Sequence, residues 1–263
     1  MTAEVVKSAG RAFAILEYFR GLKRPATVGE LAQALNLPQS SVSMLLKSMV
    51  TLGYLDYLPN MRAFLPTLRV ALLGDWLQVT DPVAAPLTGC LMALQRATRE
   101  TVILGRQNGP NVQYLSVLNE EVGLQLAVKN GMLRPMTLAA VGVMLLSTRC
   151  LAEARGIIRR NNADAEAPEL RVSERDFLLR LDEVRRQGFA ETGVKLTTGA
   201  TTIAMLVPRE PGAAPLAVGV GGPEARIAQN RDRILQALRT HIASFRPGDE
   251  QGVRSAELAA SGM

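Results

Sequence analysis

TVGELAQALNLPQSSVSMLLKSMVTLGYL, residues 27 to 55, decides how the first part of this chain folds. Thr27 and Glu30 form a T-x-x-E capping box, which opens a helix. That helix carries Val28, Leu31, Ala32 and Leu35 at helical spacing. Asn36 closes it, and Pro38 opens a third helix that runs to Leu52, with Gly53 as its stop. The apolar stripe of the third helix is Val42, Leu45, Leu46 and Met49. Upstream, Val5, Ala9, Ala12, Phe13, Leu16 and Phe19 predict an amphipathic helix over residues 5–20, ended by Gly21 and Pro25. Downstream, Tyr54 to Tyr57 reads as a strand, Pro59-Asn60 as a turn and Met61 to Leu65 as a returning strand. The pattern is a helix-turn-helix followed by a two-stranded wing.

The third helix carries the chemistry. With its stripe turned inward, 100° per residue puts Ser40, Ser43, Met44, Lys47 and Thr51 outward, flanked by Gln39 and Ser41. This face is small and polar, with one cation and no acid, so it can enter the major groove of double-stranded DNA without repelling phosphates. Gln39 matches adenine, the serines suit base edges or phosphates, and Met44 suits a thymine methyl. Lys47, and Arg62 in the wing, suit phosphates. The alternative is a winged-helix protein-interaction module in which the same residues are only a solvated face.

A helix over Thr67 to Val79 is long enough to act as a connector, and Asp81-Pro82 and Pro86 mark a boundary. The expected organisation is a winged helix-turn-helix at 1–66, a linker helix at 67–81, a second domain at 82–246 and a loose tail at 247–263. In the second segment, helices are expected at Leu87–Arg99, Met136–Thr148, Leu151–Asn161, from Ser173 to Gln187, and at Glu224–Phe245. Strands are expected at Val102–Gly105, Val112–Leu118, Leu124–Val128, Phe189–Glu191, Thr201–Val207 and Leu216–Val220. This interleaving suggests an α+β domain with a largely antiparallel sheet.

Composition narrows the function. The chain has 263 residues and is 48% hydrophobic, enough for packed cores. Its net charge is +6, but residues 1–80 hold eight Lys or Arg against five Asp or Glu, so half the excess lies outside the helix-turn-helix. Charge therefore supports DNA binding only weakly. One histidine, His241, and two cysteines, Cys90 and Cys150, are too few for the usual zinc sites or for His-based triads. The cysteines lie 60 residues apart and suit a reducing compartment. The glycines at 219–222 run into Pro223 and do not form a dinucleotide fingerprint. No enzyme activity, metal or cofactor is expected. The N-terminus lacks the apolar core of a signal peptide, and the longest near-continuous apolar run, Leu138 to Leu146, is far short of a membrane span. A cytoplasmic protein with no membrane partner is expected from these features.

VKSAGRAFAILEYF, followed by the stretch quoted first, resembles the winged helix-turn-helix of the IclR (isocitrate-lyase-regulator) family of bacterial transcription factors. GMLRPMTLAAVGVMLLST resembles the family's loop and helix after the third sheet strand. RRQGFAETGV, TTIAMLVP and LAVGVGGPEARI resemble its closing strands. The resemblance spans residues 5–246. It implies a repressor or activator with a GAF-like effector-binding domain, acting as a homodimer or homotetramer on a pseudo-palindromic operator. The departure at Met44, where many members carry a basic residue, implies a different operator.

The resemblance also implies a pocket between the sheet and the helix after Gly131. Its matching positions are Ala140, Val141, Gly193, Val194, Thr202, Gly219 and Gly221; Met136, Val141, Met205 and Leu206 are candidates for apolar walls, depending on strand register, and Lys195 and Arg134 are candidate counter-charges. Most of the polar groups found in members that bind small carboxylates are replaced here. The expected effector is aromatic or otherwise hydrophobic. A plain apolar core, or a pocket that no longer functions, remains the alternative.

Overall fold

The computed structural model describes residues 6–74, 84–119, 128–193, 199–243 and 245. The chain divides into two compact units, Met1–Asp81 and Pro82–Met263.

The first unit contains α1 (Lys7–Leu22), β1 (Ala26–Thr27), α2 (Val28–Ala34), α3 (Gln39–Thr51), β2 (Leu55–Leu58), β3 (Ala63–Pro66) and α4 (Leu68–Leu72). Thr27 caps α2 as the sequence expects: its hydroxyl accepts the Glu30 N–H, and the Glu30 carboxylate accepts the Thr27 N–H at 2.8 Å. Val42, Leu46 and Met49 of α3 are buried against Leu31, Phe19 and Leu55 in a single core. Strands β2 and β3 form the wing, and β1 adds a short third strand beside β3, so the order is β1-β3-β2. Two residues are too few for periodicity to register β1.

The phase expected for α1 needs correction. Ile15 and Phe19 are its buried residues, whereas Phe13 is 67% exposed and Ala9 is also exposed. This helix carries apolar residues on more than one side, so spacing alone did not choose the inner face. The connector expected from Thr67 to Val79 begins as α4; its residues beyond Gly74 lie outside the described residues.

The second unit is built on one antiparallel sheet of β4 (Thr101–Asn108), β5 (Asn111–Leu118), β6 (Leu133–Pro135), β7 (Ala190–Gly193), β8 (Ala200–Val207) and β9 (Leu216–Pro223), in the order β6-β5-β4-β9-β8-β7. Side chains alternate across it. Ile103, Ala204 and Ala217 face α6 (Ala140–Ser147), α7 (Leu151–Ala163) and α8 (Glu174–Gln187). Val102, Ile203, Met205 and Val218 face α5 (Ala84–Thr98), α9 (Glu224–Gln229) and α10 (Arg231–Leu238). The sheet is thus the middle layer of three.

Two helices depart from expectation. Helix α6 starts at Ala140, four residues late: Leu138 N–H closes a turn on the Pro135 carbonyl, and the first i to i−4 bond runs from Val143 N–H to the Ala139 carbonyl. The helix expected over Glu224–Phe245 breaks at Asn230, whose side-chain amide donates to the Arg226 carbonyl, and ends in a π turn at Arg239–Ala243. An asparagine that bonds nearby backbone in this way competes with helix continuation. Strand β6 was not foreseen. The expected strand at Leu124–Val128 lies almost wholly outside the described residues, as does the tail.

Candidate functional site

The outward face of α3 is the first unit's candidate site. Gln39, Ser40, Met44, Lys47, Ser48 and Thr51 are exposed, Met44 at 69%, while Ser41 and Ser43 are half-buried. Their hydroxyls differ in availability. Ser48 Oγ donates to the Met44 carbonyl and Thr51 Oγ1 to the Lys47 carbonyl, both at 3.0 Å, so these protons are spent on the helix. Ser40, Ser41 and Ser43 have no such bond among the described residues. Ser48 was not singled out from sequence, though it follows Met44 by one turn.

Thr27 stands apart from this group. Its hydroxyl both accepts from Glu30 N–H and donates to the Glu30 carboxylate at 3.2 Å, so it sets the start of α2. The Gln39 amide nitrogen and the Thr27 hydroxyl lie 3.7 and 3.9 Å from where a Cβ on Gly29 would sit. Glu30 is also paired with Arg24 at 2.9 Å. The Thr27 backbone hydrogen bond, followed by the Arg24 bond, holds the Glu30 carboxyl below its ordinary value. The acid that precedes α3 in sequence is thereby paired locally. Arg62 sits at the wing tip in a left-handed conformation (φ 47°), exposed, without an ion-pair partner among the described residues.

In the second unit the site residues divide by strand alternation. Thr202, Gly219 and Gly221 share the sheet face that packs on α6, with Val141 above them. Met205 lies on the opposite face, among the α5 and α10 side chains. It cannot line the same pocket as Val141, which corrects the expected grouping. Leu206 does share the α6 side. Gly193 ends β7, whereas Val194 and Lys195 lie outside the described residues.

The glycines do not leave the space expected of them. A Cβ on Gly105 would meet Val141 Cγ1 at 2.8 Å, and one on Gly219 would meet Val141 Cγ2 at 2.8 Å. The two Val141 methyls therefore fill the notches that these glycines open. Gly142 serves the same close packing: a Cβ there would meet the Met136 backbone at 2.6 Å. Met136, Ala140 and Val141 are all buried. The polar groups on this face form a row that sequence did not reveal: Thr192, Thr202, Gly221 and Thr101 are paired across β7, β8, β9 and β4. Only pairing register brings these positions together. Arg134, half-buried on β6, pairs with Val112.

Cys90 packs on the α5 side, where burial pushes its thiol up, while Cys150 caps α7; both are free. Among the described residues no three His, Cys, Asp or Glu side chains gather to hold a metal ion. Among those residues, too, no helix is long and apolar enough to cross a membrane.

Comparison with known proteins now bears on this geometry. Residues 8–59 match the IclR helix-turn-helix domain, and residues 79–244 match the bacterial transcriptional regulator IclR C-terminal domain. The chain is 26% identical over 248 residues to the HTH-type transcriptional regulator KdgR of Escherichia coli, covering 94% of this chain and 93% of that one. The effector domain of an IclR regulator from Acinetobacter sp. ADP1 is 28% identical with a TM-score of 0.56, covering 65% of this chain and 94% of that one. The Thermotoga maritima IclR shares the fold, at 16% identity and a TM-score of 0.60, over 95% of this chain and 98% of that one. The relatives and both domains are those of regulators and not of enzymes. The chain belongs to the IclR family of bacterial transcriptional regulators, and it is a DNA-binding one.

Proposed function

We propose that this regulator acts in the cytoplasm as a homodimer, or a dimer of dimers, on a pseudo-palindromic operator, and that a small molecule held by its second domain shifts operator affinity. Residues 1–66 form the DNA reader, 67–81 the linker, 82–246 the sensor and 247–263 a tail. The observation that carries the reading is the α3 face, where three serine hydroxyls unbonded among the described residues flank Met44 and Lys47 with no acid on the helix. In this reading Gln39, Ser40, Ser41 and Ser43 meet base edges or phosphates, and Met44 meets a thymine methyl. Lys47 and Arg62 hold the backbone. Thr27 contributes by fixing α2.

The effector is aromatic or otherwise hydrophobic. Met136, Ala140, Val141 and Leu206 supply an apolar wall and Thr202 the hydroxyl, with Gly193, Gly219 and Gly221 framing it. Support comes from the apolar character of the α6 face, where Met136, Ala140 and Val141 are buried and Leu206 packs against them. Coupling of roughly 1–3 kcal/mol would change operator affinity about 5- to 150-fold.

The test of DNA reading is Ser43→Ala and Lys47→Ala. Each should lose operator affinity with an unchanged circular dichroism spectrum, and retention of affinity by both overturns the assignment. The test of the effector class is calorimetric titration with metabolite panels. Tight binding of only a small hydrophilic acid would refute the apolar reading.

A further inference from the structure

The recognition helix ends in a structure that reaches beyond capping. Gly53 N–H donates to the Val50 carbonyl at 2.8 Å and Tyr54 N–H to the Met49 carbonyl at 2.9 Å. With Gly53 at φ +78°, this is a Schellman closure of α3. The closure leaves the Gly53 and Tyr54 carbonyls facing outward. Thr67 takes both: its hydroxyl donates to the Gly53 carbonyl at 2.7 Å and its N–H to the Tyr54 carbonyl at 3.0 Å. Thr67 is the residue that leads into α4. One residue into that helix, the Arg69 guanidinium lies 4.8 Å from the centre of the Tyr54 ring. Its Cδ and Nη1 also cover Gly53, at 3.8 and 3.7 Å from a Cβ built there.

We propose that Thr67, Arg69 and Tyr54 are positioning residues that weld the first turn of the linker helix to the end of the recognition helix. Rotation of α4 is then passed to α3 as motion of one body, and the linker sets the angle at which α3 meets its half-site. Two features favour this over simple packing. Both bonds of Thr67 and the stack of Arg69 converge on two consecutive residues, so the clasp restrains rotation as well as distance. The Thr67 N–H bond continues the wing's ladder one pair beyond Leu55 and Pro66, and the Thr67 hydroxyl bond and the Arg69 stack add restraints that the ladder alone lacks. Arg69 adds a cation at the negative end of the α3 dipole, which favours this seat for its charge.

This role rests on the paired half-site reading above. The probes are duplexes enriched by the full-length wild-type chain from a random pool. They are used unaltered, or with one or two base pairs inserted between the half-sites, each insertion turning one half-site about the duplex axis. The wild type should bind the inserted probes more weakly. In Thr67→Val, Arg69→Ala and Tyr54→Leu that penalty should shrink by about two- to tenfold, the worth of a hydrogen bond or an exposed cation–π contact. Arg69→Lys should keep most of it. Tyr54→Leu retains the Arg69 charge, so a shared loss of spacing dependence is not explained by a missing phosphate contact.

A second measurement follows the clasp without DNA. Spin labels at Met44→Cys and Ala71→Cys, with Cys90 and Cys150 replaced, should give a narrow distance distribution that broadens in Arg69→Ala. An unchanged spacing penalty in the three variants, or an equally narrow distribution, overturns the weld. A wild type indifferent to spacing refutes the paired half-site reading itself, visibly without any variant, and the positioning role falls with it.

Discussion

Two side chains of α3 make separable statements about DNA, and one side chain of α2 makes a statement about pH. Lys47 is exposed, and its role as a phosphate contact is sequence-independent. Lys47→Ala should weaken binding to all probes alike and reduce the slope of log affinity against log salt by about one, as measured by fluorescence anisotropy across a salt series. Met44 carries a different kind of information. Met44→Ala should leave the salt slope alone and reduce preference for thymine at one position about fourfold, the worth of one buried methyl contact, as read by sequencing selected sites. Glu30 gives a pH dependence. Its folded-state pKa is lowered, first by the Thr27 backbone bond and then by Arg24. Its stabilisation is therefore complete above the unfolded-state carboxylate value and lost as pH falls through the folded one. Acid unfolding profiles should show the wild type losing its advantage over Glu30→Gln on acidification through the carboxylate range.

Among the elements, α6 and the sheet beneath it are the most tightly specified. Gly219→Ala puts a Cβ 2.8 Å from Val141 Cγ2 and 2.9 Å from Thr202 Cγ2. The expected cost is about 1–3 kcal/mol in denaturant unfolding. Adding Val141→Ala should recover part of it, with a coupling of about 0.5–3 kcal/mol in a double-mutant cycle. Additive losses would mean that Val141 is not the residue filling the notch. At its start, α6 is held by Asn161, whose Oδ1 accepts from the N–H and hydroxyl of Thr137 and whose amide donates to the Pro110 carbonyl at 2.9 Å. At its end, the Arg185 guanidinium donates to the Ser147 and Arg149 carbonyls at 2.8 and 2.9 Å, where a cation also suits the helix dipole. Asn161→Ala leaves the buried Thr137 N–H and hydroxyl without their acceptor and should destabilise by about 1–3 kcal/mol.

For the whole molecule, self-association makes the sharpest test. Val6 just before α1, Phe13 of α1, and Leu68 and Leu72 of α4 are large apolar side chains exposed in the single chain. The proposed homodimer accounts for them if they are covered by a second copy. Light scattering should then find the dimer mass for the wild type and the monomer mass for Phe13→Asp, with operator affinity lost in parallel. A dimer that survives this substitution places the interface elsewhere.

What the sequence alone determined is what depends on neighbours along the chain. Thr27 with Glu30, the α3 stripe and the stop at Gly53 are local arrangements, written within a few residues and set by backbone hydrogen bonding. The polar face of α3 followed directly, because a regular helix fixes which residues share a side. Tertiary structure decided the rest, because distant segments set it. Apolar residues on more than one side of α1 left its inner face open until a core formed around Ile15 and Phe19. Met205 was grouped with Val141 until the strand register turned it to the other face. Gly219 read as added space, and only the seating of α6 put a Val141 methyl into it. The Thr192, Thr202 and Thr101 row, and the clasp of Thr67 and Arg69 on Gly53 and Tyr54, join residues that no spacing rule relates. Pairing register and packing, which are properties of the folded whole, bring them together.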